Sequence, residues 1–367
     1  MKSYMFFSVL SILFVSLHSL FYLRVIRRLL VSSQVKKALT SLLVLNFLLN
    51  LSYFFIRYSD LLPYELLYLS STSIGVTFVL LLYLILHEVL NIFHFSLKKV
   101  QRSKREFIKK TGDGALLALA TSYVTAGVYE GSKEPVINVV KANLFDFSIV
   151  QISDLHIGGL IDKEYVKESV IKINTLNPDL VMITGDLVDT EIESIAEIIV
   201  ELNNIESKYG IYMVLGNHEY FHNPYKIIDF IKTRTKVKLL LNESVTIEAL
   251  KVNIVGVNDL FGYRTGILAP NFAKAFSQVD KNYPSILLSH QPKSLELLGS
   301  HKPKLILSGH THGGQIWPFN HLVMLQQPYL KGLHTLDYGG KIYVNSGIGF
   351  WGPPMRLGSQ AEIAYII

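Results

Sequence analysis

The chain has no cysteine in its 367 residues, which excludes disulfides, thiolate metal ligands and a cysteine nucleophile. The compartment stays open on that point, because export neither requires nor forbids cysteine. Charge is sparse as well, at 17% of residues, and internal repeats and low-complexity runs are missing. What charge there is lies unevenly. Residues 1–130 hold 14 Lys and Arg against 6 Asp and Glu, so that of the whole-chain 35 and 29 the remainder keeps 21 and 23. The excess basic charge therefore belongs to the first third, and the rest lacks the basic stripe that a nucleic-acid partner requires. No nucleic-acid partner is expected.

Apolar residues are abundant, at half the chain with a positive mean hydropathy, more than one soluble domain of this size normally carries. The excess is concentrated in residues 5–23, 38–56 and 66–86, which are almost free of charge. Each is long enough to cross a hydrocarbon core of about 30 Å. One such run alone would read as a buried helix, whereas three with basic flanks read as a membrane anchor. Arg24, Arg27, Arg28, Lys36 and Lys37 stand between the first two runs, against Arg57, Asp60 and Glu65 between the second and third. The positive-inside rule then places residues 24–37 in the cytoplasm and the amino terminus outside. Lys98, Lys99, Arg102, Lys104, Arg105, Lys109 and Lys110 are cytoplasmic by the same rule. A fourth, shorter apolar stretch follows, Gly114 to Val128. If it crosses, everything after it is extracytoplasmic; the alternative is an amphipathic helix on the membrane surface. The expected organisation is an anchor with three transmembrane helices over 1–97, a basic segment with a short fourth helix over 98–130, and an α/β domain over 131–367, held at the cytoplasmic membrane.

Five polar clusters in the last domain carry the chemistry: Asp154-Leu155-His156, Gly185-Asp186, Gly216-Asn217-His218-Glu219, Ser289-His290 and Gly309-His310-Thr311-His312. Each ends an apolar run of strand type, over 148–153, 180–184, 211–215, 286–288 and 305–307. Open α/β sheets build their sites at such carboxyl ends of strands. Taken singly, His290 before Gln291-Pro292 reads as a capping or turn residue, and Asn217 beside Gly216 as a turn. Taken together, two Asp, several His and one Asn make up what a bridged pair of divalent ions needs: a carboxylate to span both, with imidazole and amide oxygen completing the shells. Such a pair, about 3.5 to 4 Å apart, activates water and clamps a phosphoryl group, so phosphoester hydrolysis is the leading chemistry.

In order and spacing these five clusters resemble the signature of the calcineurin-like metallophosphoesterases, D-x-H, G-D, G-N-H-[DE], a lone His, and G-H-x-H. The resemblance covers residues 147–367. It implies Asp154, His156 and His312 on one metal, Asn217, His290 and His310 on the other, and Asp186 bridging them. It makes His218 a catalytic residue that hydrogen-bonds substrate oxygen or protonates the leaving group. Two divalent transition-metal ions, Mn, Fe or Zn, are the implied cofactors.

The string Gly309 to Gln315, with Asn345 to Gly349 and Pro354 to Leu357, is similar to the membrane-associated bacterial branch of this family. That branch includes UDP-2,3-diacylglucosamine hydrolase-like and twin-arginine-exported relatives. Ser103 to Lys109 before the modest apolar run also looks like a twin-arginine signal, with Lys104 in place of the first arginine. The resemblance implies a four-layer αββα sandwich of two mixed sheets. Amphipathic helices are expected over Asp162–Leu176 and Glu191–Ser207, and strands near Lys236–Leu241, Val245–Val257, Lys341–Asn345 and Glu362–Ile367.

Three functions are compatible with these features. The first is a membrane-anchored enzyme cleaving a phosphodiester or pyrophosphate of a lipid or envelope substrate, with the lipid bilayer as its partner and the domain outside the cytoplasm. The second is a UDP-2,3-diacylglucosamine pyrophosphate hydrolase at the cytoplasmic face. The third is an inactive membrane sensor or scaffold, which intact clusters and an intact His218 disfavour. Tyr220, Phe221, Tyr263, Phe319 and Trp351 are candidates for an acyl groove or for ordinary packing. His222, His301, His321 and His334 read as surface or packing residues.

Overall fold

The computed structural model describes residues 2–56, 63–96 and 101–367. Arg57, Asp60, Lys98 and Lys99, used above to orient the chain, lie outside the described residues. Two compact units are present, one of residues 1–132 with 352–355, the other of 133–351 with 356–367.

The first unit is helical. Helices α1 (Lys2–Arg24), α2 (Ser33–Ile56) and α3 (Tyr64–Ser96) contain the three apolar runs. Among the described residues three helical segments, Ser8–Arg28, Ser33–Tyr53 and Tyr64–Ile92, are long and apolar enough to cross a membrane. Polar side chains inside them pair with one another, as a medium without water demands. Asn46 Nδ2 donates to Thr77 Oγ1 at 2.8 Å and lies 3.0 Å from His18 Nε2, which ties α1, α2 and α3 together. The basic run and the fourth apolar stretch form one continuous helix, α4 (Arg102–Gly131). Its Lys109 donates to the Arg28 carbonyl at 2.8 Å and to Asp113 at 3.3 Å, and Asp113 in turn stands 3.6 Å from His87 of α3.

Two six-stranded sheets form the second unit. Numbered along the chain, the strands are β1 (Val136–Val140), β2 (Ile149–Ile152), β3 (Leu180–Thr184), β4 (Ile211–Val214), β5 (Lys238–Leu239), β6 (Glu243–Ile247), β7 (Val252–Gly256), β8 (Ser285–Leu288), β9 (Leu305–Ser308), β10 (Gly332–Thr335), β11 (Lys341–Val344) and β12 (Glu362–Ile366). One sheet runs β1-β12-β2-β3-β4-β5, the other β10-β11-β9-β8-β7-β6. Both are mixed: β2, β3 and β4 are mutually parallel, as are β7, β8 and β9, while β12 runs antiparallel to β2 and β6 to β7.

Side-chain alternation builds the layers. In β3, Leu180 and Met182 face the second sheet while Val181 and Ile183 face the helices outside. In β9, Leu305 and Leu307 meet that same inter-sheet core and Ile306 turns outward. Helix α5 (Lys163–Thr175) covers the first sheet with Val166, Val170 and Ile173, joined by the helix Pro224–Arg234 through Ile227 and Ile231. Phe272, Ala275 and Leu298, from short helical turns and the segment after them, cover the second. The result is the expected helix-sheet-sheet-helix sandwich. The lysines of α5 form a solvated face, with Lys163 beside Glu201 at 3.1 Å and Lys172 beside Glu134 at 2.7 Å.

Four parts of the chain differ from the sequence expectation. Residues 192–204 form a succession of short 3₁₀ and α turns rather than one helix. The buried Ile192, Ile195, Ile199 and Leu202 suit a repeat of three as well as of 3.6, and β-branched side chains weaken the α preference. The stretch 245–257 is a hairpin, β6 and β7, because Lys251 adopts φ 49° and reverses the chain. Strands β1 and β10 had no sequence signal, since edge position leaves their side chains largely unburied.

Candidate metal centre

All five motif clusters follow the carboxyl ends of β2, β3, β4, β8 and β9, and the sandwich brings them to one place. Asp154, His156 and His312 place one donor atom each within 4.8 Å of one another, and so do Asp186, His290 and His310. The Nε2 atoms of His156 and His312 lie 3.0 Å apart. His290 Nε2 lies 3.2 Å from Asn217 Oδ1 and 3.3 Å from His310 Nδ1. Asp186 Oδ2 joins the two groups, 3.1 Å from His290 Nε2 and 3.9 Å from His156 Nε2. This donor set fits a pair of divalent ions: nitrogen and oxygen donors converge at the separations expected of ligands around a shared ion, and one carboxylate reaches both groups.

The backbone pays for this convergence. Asp154, His156, Asp186, His310 and His312 all have φ between 49° and 69°, a region that non-glycine residues disfavour by about 1–3 kcal/mol each. Such strain persists only where the surroundings fix it. Glycine is required at two neighbouring points: a Cβ on Gly309 would overlap Ser153 and Asp154, and one on Gly216 would overlap Asp186.

Glu219 supplies much of the fixing. Wholly buried, its carboxylate accepts from Gly216 N at 2.6 Å, Leu187 N at 2.7 Å, Val188 N at 3.0 Å and Asp186 N at 3.2 Å. It thereby ties the loop after β3 to the loop after β4. On the far side of the imidazoles, His290 Nδ1 is 2.7 Å from the Thr184 carbonyl and His156 Nδ1 is 3.4 Å from Asp189 Oδ1. Donation to these oxygens turns both Nε2 atoms inward, the usual outer support of a ligand histidine.

Electrostatics divides the histidines into two kinds. Burial lowers His310 to about 3 and His312 well below the usual value, the neighbouring imidazoles adding to the effect; both are neutral and carry free lone pairs. Burial opposes the charge on His218 too, but Asp186 and the hydrogen bond and charge of Asp189 overcome it and raise the group to about 9. His290 is raised well above its usual value against burial, chiefly by Asp186, so a cation held there by Asp186 and His290 would take the place of that proton. Asp186 itself is held well below the carboxylate range: burial pushes it up, and the surrounding His290, His218 and His156 outweigh that.

His218 belongs to neither triad, although its Nε2 stands 3.9 Å from Asp186 Oδ2 and it forms a further group with His156 and Asp189. Its Nδ1 pairs with Asp189 Oδ1 in a short hydrogen bond and its backbone N–H donates to Asp186 Oδ1 at 2.8 Å. Asp189, shared between His156 and His218, was missed from sequence; the only signal was its position three residues after Asp186 in G-D-x-x-D. Of the aromatic candidates, Phe221 makes an edge contact with His218, ring centres 5.0 Å apart, and remains 54% exposed. Tyr220 is buried, Tyr263 is exposed, and Phe319 meets Trp351 at 5.5 Å. His301 stacks on Phe276, His334 meets Tyr329 at a tilt with ring centres 4.7 Å apart, His222 stands 3.5 Å from Glu191, and none of the three belongs to either triad.

Comparison with known proteins bears on the family. A family model for the calcineurin-like phosphoesterases matches residues 147–314. A protein of Helicobacter pylori named an uncharacterized metallophosphoesterase is 37% identical over 323 residues, 85% of this chain and 85% of that protein. The chain belongs to the calcineurin-like metallophosphoesterases. It is accordingly a metal-dependent hydrolase of phosphoester bonds. A Bos taurus relative, a transmembrane protein with metallophosphoesterase domain, is 32% identical over 274 residues, 69% of this chain and 62% of that one. The metallophosphoesterase itself has, among the described residues, three helices long and apolar enough to cross a membrane. Among solved structures, a dimetal phosphatase from Danio rerio is similar at TM-score 0.38 and 14% identity, covering 57% of this chain and 90% of that one.

Proposed function

We propose that this metallophosphoesterase is a membrane-anchored two-metal enzyme that cleaves a phosphodiester or pyrophosphate of a lipid or envelope substrate. Asp154, His156 and His312 hold one ion, Asn217, His290 and His310 the other, and Asp186 spans both. The observation that carries the reading is the position of Asp186 Oδ2 between His290 and His156. When bound, the pair lowers the pKa of water and neutralises phosphoryl oxygens. His218, with Nδ1 committed to Asp189, holds its proton at Nε2 for the leaving group.

An amphiphilic substrate is supported by two features. The anchor keeps the enzyme at a bilayer, which favours substrates that reside there. Phe221 places an exposed aromatic surface against the side chain that meets the leaving group, and such a surface suits an apolar leaving group better than water does. The domain is assigned to the outside of the cytoplasmic membrane on loop charge.

Elemental analysis of the purified protein is expected to give two equivalents of transition metal, and Asp186→Ala to lose the pair and the activity together. Less than one equivalent under conditions of full activity would refute the two-metal reading. A screen against lipid phosphodiesters, UDP-linked lipids and soluble phosphomonoesters tests the substrate class; preference for the soluble monoesters would refute the lipid assignment.

A further inference from the structure

We infer that Arg356 is a positioning residue of the metal centre, clamping the backbone of residues 346–349 against Asp154 and His312. The inference rests on the two-metal reading above. Arg356 is fully buried, and its hydrogen bonds go to main-chain carbonyls rather than to a carboxylate. Nη1 donates to Ser346 O at 3.0 Å and Gln360 O at 3.2 Å; Nη2 donates to Gly347 O at 3.0 Å and Gly349 O at 2.7 Å. Its Nε is buried without a partner. Burying a cation this way is costly, and burial brings the guanidinium down to about 10, which still leaves it charged at neutral pH. Apolar packing would fill the same space without that cost, so the use of the guanidinium lies in the backbone that it holds.

The caged segment lies on the back of the candidate ligands. The peptide between Gly347 and Ile348 gives its carbonyl to Arg356 and its N–H to Ser153 O, at 2.9 Å. The next peptide gives its carbonyl to the Tyr165 hydroxyl, at 2.9 Å, and its N–H to Asp154 O, also at 2.9 Å. A Cβ on Gly347 would stand 2.9 Å from the Asp154 Cβ and 3.3 Å from His312 Nδ1, so the segment touches both side chains that share the first ion. Asp154 sits at φ 54° and His312 at φ 49°, conformations that relax unless held. Two peptide planes therefore connect Arg356 and Tyr165 to the strained turn at Asp154. One carbonyl-directed bond holds each plane, to Gly347 O and Ile348 O, and Arg356 also holds the flanking carbonyls of Ser346 and Gly349.

The test uses the full-length protein in detergent, with Mn²⁺ titration by calorimetry and electron paramagnetic resonance to distinguish single from paired ions. Arg356→Met is expected to weaken one of the two ions by about 10- to 100-fold, the usual effect of losing outer support, and to lower kcat with KM little changed. Arg356→Lys should recover part of that affinity, because an ammonium donates up to three bonds. A purely structural arginine would lower the melting temperature and leave both affinities intact, and that result in a folded Arg356→Met protein overturns the inference. Should Arg356→Met fail to fold, Tyr165→Phe and Arg356→Lys decide: weakening of the same ion in both supports the clamp, and wild-type affinity in both overturns it. A wild-type protein that binds fewer than two ions refutes the two-metal reading, and the clamp with it.

Discussion

At the scale of single residues, His218 and Asp189 are hydrogen-bonded and are proposed to act as a unit. The carboxylate engages Nδ1, which fixes the ring and leaves Nε2 as the atom that can meet a substrate. His218→Ala is expected to retain both ions and to lose on the order of 10² to 10⁴ in rate on a substrate with a poor leaving group. An aryl phosphate, which needs little protonation to depart, should lose far less. Asp189→Asn should cost about 10- to 100-fold, and the double variant should fall below His218→Ala only by what His156 loses with its own Asp189 contact, since the part shared with His218 is not additive. Equal losses on both substrates, or loss of metal from His218→Ala, would overturn the assignment. The candidate ligands were legible from sequence because metal chemistry restricts the side-chain type at every position and the order of clusters adds redundancy. Asp189 and Arg356 were not. An acceptor for a ring N–H and a cation for a set of carbonyls are defined by what lies near them in space, and neither neighbour is close in sequence in a patterned way.

Elements were legible where the period of burial was strict. The five strands that carry the centre are buried on both faces almost throughout, because a second sheet covers one side and helices the other; nearly continuous apolar runs are the result. Edge strands β1 and β10 lose that pattern along with their burial. Helix α5 begins within one residue of its expectation because its start is encoded chemically: Asp162 is extended and its side chain accepts from Tyr165 N at 2.8 Å. Replacing Asp162 with Ala leaves that N–H without its cap and should cost about 1 kcal/mol, lowering the melting temperature of the full protein by about 2–4 °C. Activity and metal content should stay at wild-type levels at low temperature. An unchanged melting curve would show that the cap contributes nothing, and a loss of metal would show that α5 is coupled to the centre.

At the scale of the whole molecule, the open assignment is the side of the membrane on which the centre works. The basic residues Arg102, Lys104, Arg105, Lys109 and Lys110 and the apolar stretch after them share one helix, α4, so the charge that resists translocation and the segment that would follow it are rigidly joined. Lys109 and Asp113 are neutralised within the helical unit by each other, by the Arg28 carbonyl and by His87, which lessens the cost of embedding that part of α4. The remaining basic side chains are left to orient it. A reporter joined after Ile367 should therefore be active only if it is of a kind that works outside the cytoplasm, and protease added to intact spheroplasts should digest residues 140–367. Neutralising Lys104 and Arg105 together should reduce that display by weakening the orienting charge. Protection from protease with the membrane intact would place the centre inside. The substrate would then be one presented at the cytoplasmic face, and UDP-2,3-diacylglucosamine would move ahead of an envelope phosphodiester, because a nucleotide-linked lipid is within reach only there.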